Sequence, residues 1–171
     1  MTKKMFYQTK MTMDDLELTL YKTDKGLALI SASTDQPSDF SARWLRKYFK
    51  DYQPISNRKV FEKEIEEIKD YFAGELKAFT FPFDLYGTEF QQTVWKNLLK
   101  IPYGETMSYS ELATLMGQPK AVRAVSRAIG QNPLLIIVPC HRVIGKNQQL
   151  TGFRSGLALK QELINLEQLN K

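Results

Sequence analysis

The chain holds one cysteine and one histidine, and they are neighbours, Cys140 and His141, within Pro139-Cys140-His141-Arg142-Val143-Ile144-Gly145. Any thiol or imidazole chemistry must therefore happen here. The apolar run Leu134, Leu135, Ile136, Ile137, Val138 leads into the pair, so a nucleophile and a helper base would stand at the end of a buried segment. Thiol reactivity depends on exposure and pKa. On the dipeptide alone, the commoner reading of such a cysteine is a small buried hydrophobe and of such a histidine a hydrogen-bonded bystander. One Cys excludes an internal disulfide, and one Cys with one His falls short of the ligands of a usual zinc site; a carboxylate-rich metal site stays open on the residues alone, although no metal and no cofactor are expected.

The charge around this pair is uneven. Up to residue 84 there are 14 basic and 14 acidic residues, and from 85 onward 10 against 5, so the second half carries the whole net charge of +5. No acidic residue occurs between Glu111 and Glu162, a window that holds Lys120, Arg123, Arg127, Arg142, Lys146, Arg154 and Lys160 together with Cys140. Such a field favours a polyanionic partner and favours thiolate over thiol. An ordinary solvated basic face is the competing reading.

The elements that must position these groups can be read in part. At 171 residues and 43% apolar composition the chain can build one medium or two small cores without staples. Asp15 to Ala32 predicts a hairpin, with Leu16, Leu18 and Leu20 alternating and Asp24-Lys25-Gly26 as the turn. Trp44 to Phe49 predicts a short helix. Phe61, Ile65, Ile68 and Phe72 predict an amphipathic helix from Val60 stopped by Gly74. Phe79 to Leu85, broken by Pro82, predicts an edge strand or linker, and the domain boundary is expected there, giving domains 1–80 and 81–171. Thr88 with Gln91, and Ser108 with Glu111, are capping boxes opening two helices, the second with Tyr109 in its first turn.

Pro119 predicts the first position of a further helix ending at Gly130, with Val122, Val125 and Ile129 inward and Ala121, Ala124 and Ala128 allowing close approach. Joined through Gly117-Gln118-Pro119, the last two helices make a helix-turn-helix that sets Lys120, Arg123 and Arg127 on one face for phosphates or bases. A closing helix carries Leu159, Leu163 and Leu166 on one side, and Glu167 reads as surface. No long apolar run follows Lys3, Lys4 and Lys10, so neither a signal peptide nor a membrane span is expected, and a reducing, cytoplasmic location follows.

From Phe79 onward the chain resembles the O6-alkylguanine-DNA alkyltransferases, or methylated-DNA–protein-cysteine methyltransferases. The resemblance rests on Gly87-Thr88-Glu89-Phe90-Gln91 with Val94-Trp95, Ser108-Tyr109, Asn132-Pro133, Pro139-Cys140-His141-Arg142-Val143 and Gly152-Phe153-Arg154-Ser155-Gly156-Leu157. It implies an α+β fold, with a small ribonuclease H-like N-terminal domain of sheet and helix and a mostly helical C-terminal domain. It also implies repair by flipping an O6-alkylated guanine out of duplex DNA and moving the alkyl group, mainly methyl, irreversibly onto Cys140 in a single turnover. O4-alkylthymine is a lesser candidate substrate.

By the same resemblance His141 acts through a water or a turn and Glu167 fixes its tautomer, while Asn132 braces the active-site turn and Tyr109 donates to the departing ring. The backbone at Cys140 and Val143 would accept from the exocyclic amine, with Phe153 and Ile129 lining the pocket. Arg154 stands where many relatives have a small residue, so its backbone N–H would serve O6 while its side chain binds phosphate or narrows the pocket. Arg123 would fill the gap left by the flipped base, and Ala121 and Ala124 would let the helix sit close in the minor groove. The expected partner is double-stranded DNA, with no membrane and no obligate protein partner, and the chain is expected to be a monomer. Two rival functions stand beside this one: a non-catalytic helix-turn-helix lesion sensor or regulator with an inert thiol, and a cysteine-dependent hydrolase, which would turn over.

Overall fold

The computed structural model describes residues 5–171 and divides them into two compact units, up to Tyr86 and from Gly87. Lys3 and Lys4, on which part of the leader argument rests, lie outside the described residues. Among the described residues no helix is long and apolar enough to cross a membrane.

The first unit is a sheet with helices. Strands β1 (Phe6–Met13), β2 (Leu16–Thr23) and β3 (Gly26–Ala32) form an antiparallel meander, and the short β4 (Ile55–Ser56) adds in parallel beside β1, in the order β3-β2-β1-β4. The expected hairpin is β2–β3. The strand β1 is additional, because only Phe6 and Met11 of its residues are buried, a spacing that does not alternate. Its pairing with all of β2 holds it in place. Helix α1 (Phe40–Tyr48) starts earlier than expected and brings Phe40 and Trp44 onto Phe6, Ala28, Leu29 and Phe49. Helix α2 (Glu62–Phe72) follows a 3-10 turn at Arg58–Phe61 and ends as its sequence demands. Gly74, at φ +76°, passes its N–H to Tyr71 O while Glu75 N–H reaches Asp70 O, which satisfies the last carbonyls.

The division lies six residues beyond the expected 80, and the reason is backbone pairing. Leu27 N–H donates to Pro82 O at 3.1 Å and Asp84 N–H to Leu27 O at 2.7 Å, so a single parallel bridge at Phe83 ties this segment to β3. Gly26 makes this approach possible: a Cβ there would lie 2.4 Å from Pro82 O.

The second unit comprises α3 (Glu89–Leu98), α4 (Tyr109–Leu115), α5 (Val122–Gly130) and α6 (Leu157–Leu169) with a two-strand parallel pair, β5 (Met107–Ser108) and β6 (Val143–Ile144), against which α4 packs. Both capping boxes are present and reciprocal, Thr88 with Gln91 and Ser108 with Glu111. Trp95 ties α3 to α5 by donating from Nε1 to Ala128 O at 2.8 Å. Helix α4 closes on Gly117 at φ +71°, whose N–H reaches Thr114 O while Gln118 N–H reaches Ala113 O.

Candidate active site

The helix-turn-helix is α4 and α5, but α5 begins at Val122, three residues later than Pro119 predicts. Ala121 N–H donates to Gln118 O, which makes Pro119 and Lys120 the central residues of a β-turn, the other position where a fixed proline φ fits. Lys120 and Ala121 therefore precede the helix, and only Arg123, Ala124 and Arg127 of the expected contact set ride on it. All three are exposed, as is Lys120. Gly130 is the last helical residue with an ordinary negative φ, so it is not a left-handed terminator. Thr88, the N-cap of α3, and Phe90 and Gln91 in its first turn share a surface hollow with Arg123, Ala124 and Arg127.

The segment into Cys140 is not an extended run. It is a series of tight turns: Val138 N–H returns to Leu134 O, Cys140 N–H to Val138 O, and Cys140–Arg142 forms a 3-10 turn. Ile136 sits at φ +74°, a left-handed conformation that costs a β-branched residue about 1–3 kcal/mol and is held because residues 134–138 are all buried. Asn132 organises this turn. Its Oδ1 accepts from Leu134 N–H at 2.9 Å, and its Nδ2 donates to Val138 O at 2.8 Å and to Cys140 Sγ at 3.1 Å.

Cys140 is buried, and burial pushes its thiol pKa up, against the opposing pull of the Asn132 hydrogen bond and the charges of Arg154 and Lys160. The basic window thus does not by itself make a resting thiolate, because desolvation outweighs it. His141 is completely buried, with Nε2 2.7 Å from Glu167 Oε1. Burial lowers its pKa despite Glu167, so the imidazole rests neutral and Nδ1 becomes the basic nitrogen when Nε2–H is given to the carboxylate.

Glu167, read from sequence as surface, is 1% exposed and lies at the centre of the site. It accepts from Arg142 Nε at 2.8 Å, Arg142 Nη2 at 2.9 Å and Gly104 N–H at 3.2 Å, besides His141. Burial opposes its charge, but the hydrogen bonds and charges of His141 and Arg142 win and hold the carboxyl well below its ordinary range. Arg142 Nη1 also donates to Ile101 O at 2.6 Å.

A narrow cleft opens over the thiol. Ile129, Asn132, Leu135, Phe153 and Arg154 wall it, and its interior of about 20 Å³ is room for roughly one water. Arg154 Nη2 donates across it to Asn132 O at 3.0 Å. Val143, expected in the pocket, is fully buried in β6, where it pairs with Met107. Tyr109, at the start of α4, donates its hydroxyl to Thr151 O at 3.0 Å, and burial raises its pKa, so the phenol keeps its proton.

Sequence reasoning missed three participants. Arg142 and Lys160 count toward the basic window but are buried, so they do not belong to any DNA-facing surface. Gly104 offers only a backbone N–H. For Lys160, its place seven residues before Glu167 on one helix face was the available signal.

A family model described as the DNA-binding domain of 6-O-methylguanine DNA methyltransferase matches residues 89–169. The inducible methylated-DNA–protein-cysteine methyltransferase of Bacillus subtilis is 42% identical over 165 residues, covering 96% of this chain and 92% of its own. A protein of the same name, without the word inducible, from Mycobacterium tuberculosis is 54% identical over 108 residues, covering 63% of this chain and 66% of its own. The crystal structure of Mycobacterium tuberculosis OGT in complex with DNA superposes with a TM-score of 0.81 at 38% identity, covering 96% of this chain and 93% of that one.

Proposed function

The chain belongs to the methylated-DNA–protein-cysteine methyltransferases, proteins of direct-reversal DNA repair, and on that premise we propose that Cys140 is the acceptor, that its substrate is a guanine flipped from the duplex, and that the residues gathered around it divide the work as follows. The carrying observation is the joined arrangement of Asn132 on the Cys140 sulfur and Glu167 on the His141 ring beneath the Phe153–Arg154 cleft.

His141 Nδ1 takes the thiol proton through a bridging water, because adjacent residues of one 3-10 turn do not hand a proton over directly. Glu167 holds the imidazole in the tautomer that can accept it and stabilises the imidazolium once formed. The Cys140 sulfur then attacks the alkyl carbon. The S–C bond forms, the C–O6 bond breaks with its electron pair passing to guanine, and the Tyr109 hydroxyl gives a proton or hydrogen bond to the ring. Asn132 keeps the sulfur aimed.

The base reaches the thiol only if Arg154 swings away from Asn132 O, since the closed cleft has no room for a purine. Ile129 and Phe153 then pack on the base, the Cys140 and Val143 backbone accepts from its amine, and the Arg154 backbone N–H serves O6. Arg123 fills the gap in the stack, Ala121 and Ala124 let α5 approach a minor groove, and Lys120 and Arg127 hold phosphates. Residues 87–171 carry this work and the first unit is structural. The protein acts as a monomer in the cytoplasm, takes methyl groups before larger ones, and takes O4-alkylthymine as a lesser substrate.

The test is direct. An oligonucleotide containing O6-methylguanine should add one methyl mass to the peptide bearing Cys140 and stop after one equivalent. No mass gain there, or continued turnover, overturns the proposal. A non-catalytic sensor would leave Cys140→Ala with every activity intact.

A further inference from the structure

Lys160 is a buried ionisable side chain near the thiol to which none of these steps assigns a role. It is fully buried on α6. Its Nζ donates to Thr151 O at 3.0 Å, the same carbonyl that accepts the Tyr109 hydroxyl at 3.0 Å. The ammonium lies 5.9 Å from the ring centroids of both Tyr109 and Phe153. Among the described residues no carboxylate forms an ion pair with it, unlike Arg142, whose buried charge is matched by Glu167. A buried cation is costly unless an anion answers it. Here the anion is absent at rest and arises during the reaction.

We propose that Lys160 is the fixed counter-charge of the transfer, held by the Thr151 carbonyl beside Cys140 and Tyr109 so that its ammonium stabilises the thiolate and then the departing guanine anion. This rests on Cys140 being the acceptor. As the thiol proton leaves for His141 and the C–O6 electron pair passes to guanine, one negative charge moves from sulfur to base. Lys160 keeps its proton throughout and faces that charge at both ends of its path, acting through Cys140 and Tyr109 as a positioning group. Helix α6 thereby flanks the Cys140-His141 pair with a cation and, two turns on, an anion: Lys160 for the sulfur and Glu167 for the imidazole.

Burial lowers the Lys160 pKa to about 8, with Cys140 pulling it back up. The titratable groups facing it are Cys140 and His141 of the 3-10 turn and Tyr109 of α4. The counter-charge is therefore present at neutral pH and is lost above about 8.

Because the chain has a single cysteine, iodoacetamide alkylation reports Cys140 alone and needs no DNA. Lys160→Met should move the pH midpoint of alkylation upward by about one unit, a tenfold slower reaction below the midpoint, while Lys160→Arg stays near wild type. An unmoved midpoint in Lys160→Met overturns the inference, since a merely structural lysine would not tune the thiol. Should the methionine variant fail to fold, Lys160→Gln and Lys160→Arg decide it through methyl transfer from an O6-methylguanine oligonucleotide at neutral pH. The arginine variant should stay near wild type while the glutamine variant, which can still donate to Thr151 O, falls about tenfold per folded molecule. An unchanged rate in Lys160→Gln, or an equal loss in both variants, overturns it. Methylation of wild-type Cys140 at neutral pH separates the two ideas: without it the acceptor reading falls and takes this inference along, and with it only the role of Lys160 is at stake.

Discussion

The two units of this chain have nearly equal length but bury different things. The first buries rings: Phe6 stacks on Phe49 with centroids 4.1 Å apart, and Trp44 meets Phe49 and Tyr86 at 5.4 and 5.7 Å. Of its buried carboxylates, Glu64 meets Lys22 at 2.5 Å, a pair linking β2 to α2. The second buries His141, Arg142, Lys160 and Glu167 together with Asn132 around one sulfur. Apolar burial stabilises both units, and a buried charge is expensive unless an opposite charge answers it, as Lys22 answers Glu64. The first unit thus rests mainly on packed rings, while the second gathers its buried charges around the thiol.

Substitutions can break or sharpen that contrast. The largest effect belongs to Cys140→Ala, which should abolish methyl acceptance while thermal unfolding changes little, checked by mass spectrometry and calorimetry. Glu167→Ala comes next. It leaves Arg142 and His141 without their shared carboxylate, so transfer should fall roughly a hundredfold and stability by about 3–5 kcal/mol in urea unfolding. Trp44→Ala should cost a similar 3–5 kcal/mol through the cavity it leaves, yet transfer per folded molecule should stay at the wild-type rate. If it dropped in step with Glu167→Ala, the contrast would fail.

Arg123→Ala should slow transfer from duplex DNA by roughly tenfold, because filling the gap offsets part of the few kcal/mol of unstacking, and should leave reaction with the free base nearly unchanged. Equal losses on both substrates would contradict the wedge. Stability should also carry the site's signature in acid. The folded pKa of His141 lies below its ordinary 6.5 and that of Glu167 below its ordinary 4.5. In both cases the unfolded chain binds protons first, so each contribution is complete above its ordinary pKa and fades as pH falls below it. The urea midpoint should hold from neutral pH down to about 6.5 and then decline, less steeply at the acid end in Glu167→Gln. The smallest effect is expected for Arg154→Ser, which opens the cleft. Transfer of a bulky O6-alkyl group should gain a few-fold relative to methyl, within the 1–3 kcal/mol that pocket fit commands.

Much of the second unit was legible because its signals are local. Thr88 with Gln91 and Ser108 with Glu111 satisfy each other's backbone over three residues, and Gly117 needs nothing distant to end its helix, just as Gly74 does in the first unit. Pro119 does not open its helix for an instructive reason, since a fixed φ suits a β-turn as well as a first helical position and only the Ala121–Gln118 hydrogen bond decides between them. Strand β1 was hidden because its residues become a strand by pairing with β2, not by their own alternation.

By itself the sequence determined which residues could react, since a lone Cys-His pair inside an acid-free window admits few alternatives, and it determined the helix ends whose capping is local. The tertiary structure decided what those residues experience. Only folding brings Glu167 to His141 across 26 positions and Arg142 to Ile101 O across 41, turns Lys160 from a surface charge into a buried one, and raises the thiol's pKa by burial against the charges around it. Desolvation and long-range partners are properties of packing, and packing is written in no single stretch of the chain.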